Sequence, residues 1–229
     1  MMRRYVNQAV TTVVLAATIA GCVADSGDSD TDPQPSAAAS VQYATPPEDL
    51  CDRVRFDDVL EEWGFYPPSW HEPGRDYRVN RTYWFVRCDF MGLAEDGRFE
   101  TVFGEFRPRG SVAVRIHHDI AGAVEDYEMD DYNYFRRPVG SGPVSVTGWW
   151  DTGVATTLDE HIVPYDAPLD EPGAAHLNTR LLVRHGNLVV LAYAEAEAPL
   201  EEATKATDLL EDFVAAMLDE TAEHLSVTN

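Results

Sequence analysis

From Ser111 to His118 every second residue is aliphatic: Val112, Val114 and Ile116 alternate with Ala113, Arg115 and His117. A period of two is the mark of a strand with one buried side. Tyr83–Phe90 repeats the pattern, with Trp84, Val86, Cys88 and Phe90 on one side. Arg98–Arg107 does so with Phe99, Thr101 and Phe103, and Gly104 marks an irregularity in it. Gly148–Thr157 reads as a further strand, and Asn178–His185 and Asn187–Glu195 as a hairpin around Gly186.

Three stretches change to helical spacing. Pro46-Pro47-Glu48-Asp49 opens the first, with proline and acids suited to a first turn; Leu50, Val54, Leu60 and Trp63 give it an apolar face, and Gly64 ends it. The second runs from Ile120 to Phe135, with Ala121, Val124 and Tyr127 on one face. The third, Pro199–Leu225, carries Ala203, Ala206, Leu210, Phe213, Val214, Met217 and Leu218 in one stripe. Pro67–Arg81, Pro138–Gly148 and His161–His176 read as loops. The order α-βββ-α-βββ-α has few helical crossovers, so the expected class is α+β: a mostly antiparallel sheet of about six strands packed with three helices.

The chain begins differently. Arg3-Arg4 precedes an uncharged run, Ala9–Ala20, which is too short to span a bilayer as a helix, since that takes roughly 20 residues. Ile19-Ala20-Gly21-Cys22 follows, aliphatic then small then cysteine. The segment resembles bacterial lipoprotein signals, and that resemblance implies cleavage before Cys22 and lipid on its thiol. Two or more acyl chains hold a protein stably on a membrane. The alternative is an ordinary secretory signal, and Arg3-Arg4 also admits a twin-arginine route. Val23–Pro47 is rich in Asp, Ser, Ala and Pro and reads as a linker. Asp28, Asp30 and Asp32 have the spacing of a calcium loop, but Pro33 and Ala39 stand where that loop needs Gly and Glu. The expected organisation is a signal peptide over 1–21, a lipidated Cys22 with an acidic linker over 22–47, and one α+β domain over 48–229.

The formal net charge of −23 argues against nucleic acid, whose phosphates need Lys and Arg, and against polybasic adhesion to anionic lipid. Lys205 is the only lysine. Arginine codons are GC-rich, so the composition points to a GC-rich genome and, with the signal, to an actinobacterium; a salt-loving archaeon would also be acidic and lysine-poor. Besides Cys22 there are Cys51 and Cys88. In an exported chain a disulfide between them is the default, and two free thiols are the alternative. One pair makes no zinc site.

Cys51 follows Asp49-Leu50 in the first helix, and Arg87-Cys88-Asp89-Phe90 sits in the first strand. With the signal, the stalk and the closing helix, this layout resembles a family of actinobacterial cell-surface lipoproteins of unknown function. The resemblance implies an α/β sandwich and no established enzyme activity. The loops Tyr66–Arg81 and Val163–His176 depart from it.

No serine-hydrolase, nucleotide or zinc-protease motif occurs. His117-His118-Asp119 looks like a metal pair, but neighbours on a strand face opposite ways, and Asp119 better serves as the N-cap of the next helix. No metal and no cofactor is expected. Two groups remain as candidate ligand contacts. Trp149, Trp150, Tyr132 and Tyr134 could line a groove, or simply be buried. Arg87, Arg115 and Arg184 fall opposite the apolar positions of three strands, so they could form a positive strip for an anionic wall component or an acidic partner, or be paired with neighbouring carboxylates. The expectation is a non-catalytic binding or accessory module, held by lipid on the extracellular face of the cell membrane, with a cell-wall or protein partner. A surface-polymer hydrolase and a passive envelope component are the alternatives.

Overall fold

A computed structural model of the chain describes residues 41–66, 74–94, 107–130, 144–162 and 173–228. Residues 39–229 make one compact unit. Its elements in chain order are β1 (Gln42–Tyr43), α1 (Leu50–Arg53), α2 (Phe56–Glu62), β2 (Phe65–Tyr66), β3 (Arg75–Val79), β4 (Tyr83–Met91), β5 (Leu93–Ala94), β6 (Arg109–His117), α3 (Ile120–Asp130), β7 (Val144–Ser145), β8 (Thr152–Ile162), β9 (Ala174–His185), β10 (Leu188–Pro199), α4 (Ala203–Glu223) and β11 (Val227–Thr228). The fold is α+β. Seven strands form an antiparallel sheet in the order β3-β4-β6-β10-β9-β8-β7, and two-stranded pairs join β1 to β11 and β2 to β5.

Alternation divides the sheet into two faces. On one lie Val86, Cys88 and Phe90 of β4, Val112, Val114 and Ile116 of β6, Leu181 and Val183 of β9, and the row Ala192, Ala194, Ala196 and Ala198 of β10, all buried. The alanines leave room for α4, whose Leu210, Phe213, Val214, Met217 and Leu218 fill the core there with Leu50, Phe56 and Leu60. Phe213 meets both Phe65 and Phe90 edge to face. On the other face α3 sets Ala123 and Tyr127 against Leu182 and Val189 in a second, smaller core. An eleven-residue helix is about 16 Å long, whereas a twelve-residue strand such as β10 runs about 40 Å, so α3 reaches over only part of this face.

The first expected helix is two. The chain turns extended at Val54 (φ −68°, ψ 124°), which lets Leu50 and Val54 from one segment and Phe56, Val59 and Leu60 from the next all enter the core. Gly64, at φ +77°, follows α2 as expected. Cys51 and Cys88 are joined in a disulfide with Cα atoms 5.3 Å apart, tying α1 to β4. Asp119 caps α3: its Oδ1 accepts the N–H of Gly122 at 2.7 Å.

Several boundaries need correction. β3 occupies part of the expected loop Pro67–Arg81, because the backbone of 75–79 extends the sheet alongside β4. β8 and β9 run on to Ile162 and from Ala174, inside the expected loop His161–His176, and their ladder is continuous to its end. Val144–Ser145, expected as loop, pairs with β8. Trp149 and Trp150 precede β8 instead of belonging to it. The closing helix starts at Ala203, after a 3₁₀ turn at Leu200–Glu202. Gln42 and Tyr43, assigned to the linker, pair with Thr228 and Val227 within the compact unit. The strand expected at Arg98–Arg107 lies almost wholly outside the described residues, as do Cys22 and the signal. Among the described residues no helix is long and apolar enough to cross a membrane.

Candidate functional site

The site begins with two small residues. On β6 the side chains opposite Val112, Val114 and Ile116 include Ser111 and Ala113, so the face carrying α3 dips along the middle of that strand. Register fixes what surrounds the dip. Ser111 lies between Asp89 of β4 and Tyr193 of β10, and Tyr193 is opposite Arg180 of β9. One same-face step along, Ala113 lies between Arg87 and Leu191. One step further, Arg115 lies between Phe85 and Val189. These rows enclose a cleft of about 440 Å³ with an apolar floor of Phe85, Ala113 and Leu191.

Charged and polar groups rim it. Arg87 donates from Nε to Asp89 Oδ1 at 2.7 Å and, at 3.4 Å, from Nη2 to the hydroxyl of Tyr193, reaching over β6. Burial works against the Arg87 charge, but the hydrogen bond and charge of Asp89 outweigh it and hold the guanidinium above its ordinary value. Arg180 donates to Asn178 Oδ1 at 2.9 Å. Glu195 accepts from Arg109 at 2.6 Å. Arg115 is held beneath α3, where Asp126 Oδ1 accepts from its Nη1 at 3.2 Å and Asp130 from its Nη2. The lining therefore holds the guanidiniums of Arg87, Arg115 and Arg180 and the carboxylates of Asp130 and Glu195, with Asp89, Asp126 and Arg109 paired directly beside them.

The sequence-predicted arginines do share a sheet face, and two of them line the cleft. Arg115 and Arg184 are both in register with Val189, one on either side of it, and Val189 is under α3. Arg184 thus stands outside the cleft, donating to Asp151 Oδ2 at 3.0 Å. Each of the three has a carboxylate partner. Arg87 finds its own along the same strand, since Asp89 is two residues on.

Trp149 and Trp150 lie across the sheet. Trp149 donates to Asp219 of α4 at 3.0 Å, its ring stands edge to face with Trp150 at 5.6 Å, and both pack on the main core. Gly148 and Gly153 abut the Trp150 ring so closely that a Cβ on either would be within 2.6 Å of it. The tryptophans and the arginine cleft are therefore separate places. Tyr132 and Tyr134 lie outside the described residues.

His117 and His118 face apart. His117 is buried, with Nε2 3.0 Å from Asp126 Oδ2, and His118 lies against Trp84. Among the described residues no group of three or more His, Cys, Asp or Glu could hold a metal ion. Sequence reading missed Arg180, Tyr193, Asn178 and Glu195. The signal for them was the second parity: Asn178, Arg180 and Leu182 on β9 and Leu191, Tyr193 and Glu195 on β10 alternate as regularly as the core positions do. No protein-family model, curated protein or solved structure matches the chain.

Proposed function

We propose that this protein is a non-catalytic binding or accessory module of the cell envelope, anchored to the membrane by lipid on Cys22 and acting through the cleft on the α3 face. The cleft carries the reading. Hydrogen-bond donors from β4, β6 and β9 converge on an apolar floor of ligand-sized dimensions, a mixture typical of small-molecule sites. Among the described residues its lining includes neither His nor Cys, and the buried His117 is turned to Asp126 beneath α3. The anchor rests on Ile19-Ala20-Gly21-Cys22 after a basic start and a short apolar run. The disulfide between Cys51 and Cys88 suits an oxidising compartment, and the layout's resemblance to actinobacterial surface lipoproteins supports the same place.

The test is metabolic labelling of the full chain with an alkyne fatty acid in a bacterial host that processes lipoproteins. The wild type is expected to carry label, to begin at Cys22 and to fractionate with membranes; Cys22→Ala is expected to lose the label. Unlabelled wild type retaining residues 1–21 in the soluble fraction would overturn the anchor.

A further inference from the structure

The charges of the cleft are already satisfied by one another, and that narrows what it can hold. We infer that it takes an uncharged saccharide ring, free or at the end of a glycan chain, with its hydroxyls on the paired polar groups of the rim and its C–H face on Ala113, Leu191 and Phe85. This rests on the reading of the cleft as a binding site and adds the class of ligand.

Pairing comes first. Arg87 has Asp89, Arg115 has Asp126 and Asp130, and Glu195 has Arg109. Arg180 is partnered as well, in part by Asn178 Oδ1. A charged ligand would have to draw one member of a pair away from the other, and a displaced charge in a half-buried recess is poorly solvated. A hydroxyl asks for no such exchange. A carboxylate has about four lone-pair sites and a guanidinium five N–H donors, so an ion pair still offers hydrogen bonds at its edges. Those bonds are charge-assisted and stronger than neutral ones.

Arrangement comes next. Asn178 and Glu195 are opposite each other on β9 and β10, and Arg180 and Tyr193 are opposite each other one same-face step along. The four positions mark out a patch about 5 Å by 7 Å, the scale of one sugar ring. Donors and acceptors are mixed within it. Glu195 Oε1 accepts from Arg109 at 2.6 Å and Oε2 from Asn178 Nδ2 at 3.4 Å, and each oxygen has a second lone pair. The Tyr193 hydroxyl accepts from Arg87 Nη2, so its own hydrogen points elsewhere. A polyol suits such a patch because every hydroxyl both donates and accepts. Leu191 and Ala113 lie one same-face step from Tyr193 and Ser111, and the Phe85 ring, with Arg78 5.9 Å from its centroid, closes that end. A pyranose has the matching two-sidedness, hydroxyls at its rim and C–H groups on its face. At about 440 Å³ the recess suits a compact molecule.

The experiment uses the full chain in micelles of a polyoxyethylene detergent, which carries no sugar of its own. The probes are glucose, galactose, mannose and N-acetylglucosamine, each free and as its methyl glycoside, with the uronates of the three hexoses as anionic copies and phenylalanine as a zwitterion. Saturation-transfer NMR reports binding. At least one neutral sugar is expected to bind saturably below about 10 mM, with an affinity that stays level between about 0.01 M and 1 M salt. Affinity kept by the methyl glycoside assigns the site to a chain end, and affinity lost assigns it to the free sugar; either upholds the class. Tyr193→Phe should weaken the bound sugar about fivefold and Glu195→Gln about tenfold, whereas Arg184→Gln, outside the cleft, should leave it unchanged. Unfolding curves of all three confirm that they fold. No saturable binding of any neutral sugar up to about 10 mM would overturn the inference, as would a uronate bound about tenfold more tightly than its hexose, or sugar binding indifferent to both Tyr193 and Glu195. Phenylalanine bound in place of the sugars, and lost on Ala113→Leu, would overturn the ligand class yet leave the cleft a binding site. None of these results bears on lipid at Cys22, which labelling decides separately.

Discussion

The backbone N–H of Tyr43 donates to the side-chain oxygen of Asn187 at 2.6 Å, across 144 positions of sequence. The same amide donates from Nδ2 to the carbonyls of His117, at 2.7 Å, and Tyr43, at 3.3 Å. Three segments meet on one buried side chain: the N-terminal strand, the end of β6 and the turn between β9 and β10. The turn itself is tight. Gly186 has φ +58°, and a Cβ there would fall 1.7 Å from the carbonyl oxygen of Val41. Asn187→Ala leaves buried backbone groups unpaired, each costing about 1–3 kcal/mol. The expected loss is about 3 kcal/mol by urea unfolding, with faster amide exchange at Tyr43. A loss under about 1 kcal/mol would show that β1 is held elsewhere.

Tyr43 also gives the fold a dependence on alkaline pH. Burial, and after it the negative charge of Asp151, raise its phenol above the ordinary 10.0. The hydroxyl lies 2.8 Å from His185 Nδ1. A raised value means that the folded state keeps its proton after the unfolded chain has begun to lose it. The stabilisation is therefore complete below pH 10.0 and is lost as the pH climbs through the folded value. Tyr43→Phe is expected to lose about 1 kcal/mol at neutral pH, where the hydrogen bond counts, and to show a flatter decline than wild type above about pH 10. Parallel declines measured by thermal unfolding would exclude Tyr43 as the group responsible.

What could be read in the sequence, and what could not, follows from the range of each signal. Val112, Val114 and Ile116 announce a buried strand because period two is local, and the stripe from Ala206 to Leu218 announces α4 for the same reason at period 3.6. Arg87 and Arg115 were legible as charges of the opposite parity. Tyr193 and Arg180 were not, because membership of the cleft depends on the register of β10 against β6 and β9, which is a long-range fact. β3 hid behind its composition: Arg75, Asp76 and Arg78 suit an exposed edge strand and carry no apolar alternation. Trp149 and Trp150 misled because adjacent aromatics suggest a strand with two occupied faces, whereas Gly148 and Gly153 let both rings fold back onto the core.

The disulfide joins the first helix to the sheet across 37 positions. A loop of that size is stabilised by about 4 kcal/mol in the chain-entropy model, with measured values of 2–4 kcal/mol common. Cys51→Ala with Cys88→Ala should lower stability within that range. Wild type in reductant should fall to the same midpoint as the double variant, which reductant should leave unmoved. A reductant-sensitive double variant would mean that the bond is not the source.

Arg115 decides how α3 lies on the sheet. The apolar contact beneath that helix is small, Ala123 and Tyr127 on Leu182 and Val189. Beside it Arg115 meets both Asp126 and Asp130, with side chains 14%, 18% and 11% exposed. Asp126 also faces His117 Nε2, while His117 Nδ1 is buried without a hydrogen-bond partner among the described residues. Removing one member of such a cluster leaves the others charged and poorly solvated, which costs about 3 kcal/mol at the lower end of the range for buried pairs. Removing all the charges costs far less, because desolvation and attraction disappear together. Arg115→Met is therefore expected to destabilise by about 3 kcal/mol, and Arg115→Met with Asp126→Asn and Asp130→Asn to recover most of that loss, a non-additivity that urea unfolding of the full mutant set would show. Additive losses would mean that α3 is seated by the apolar contact of Ala123 and Tyr127 on Leu182 and Val189 alone.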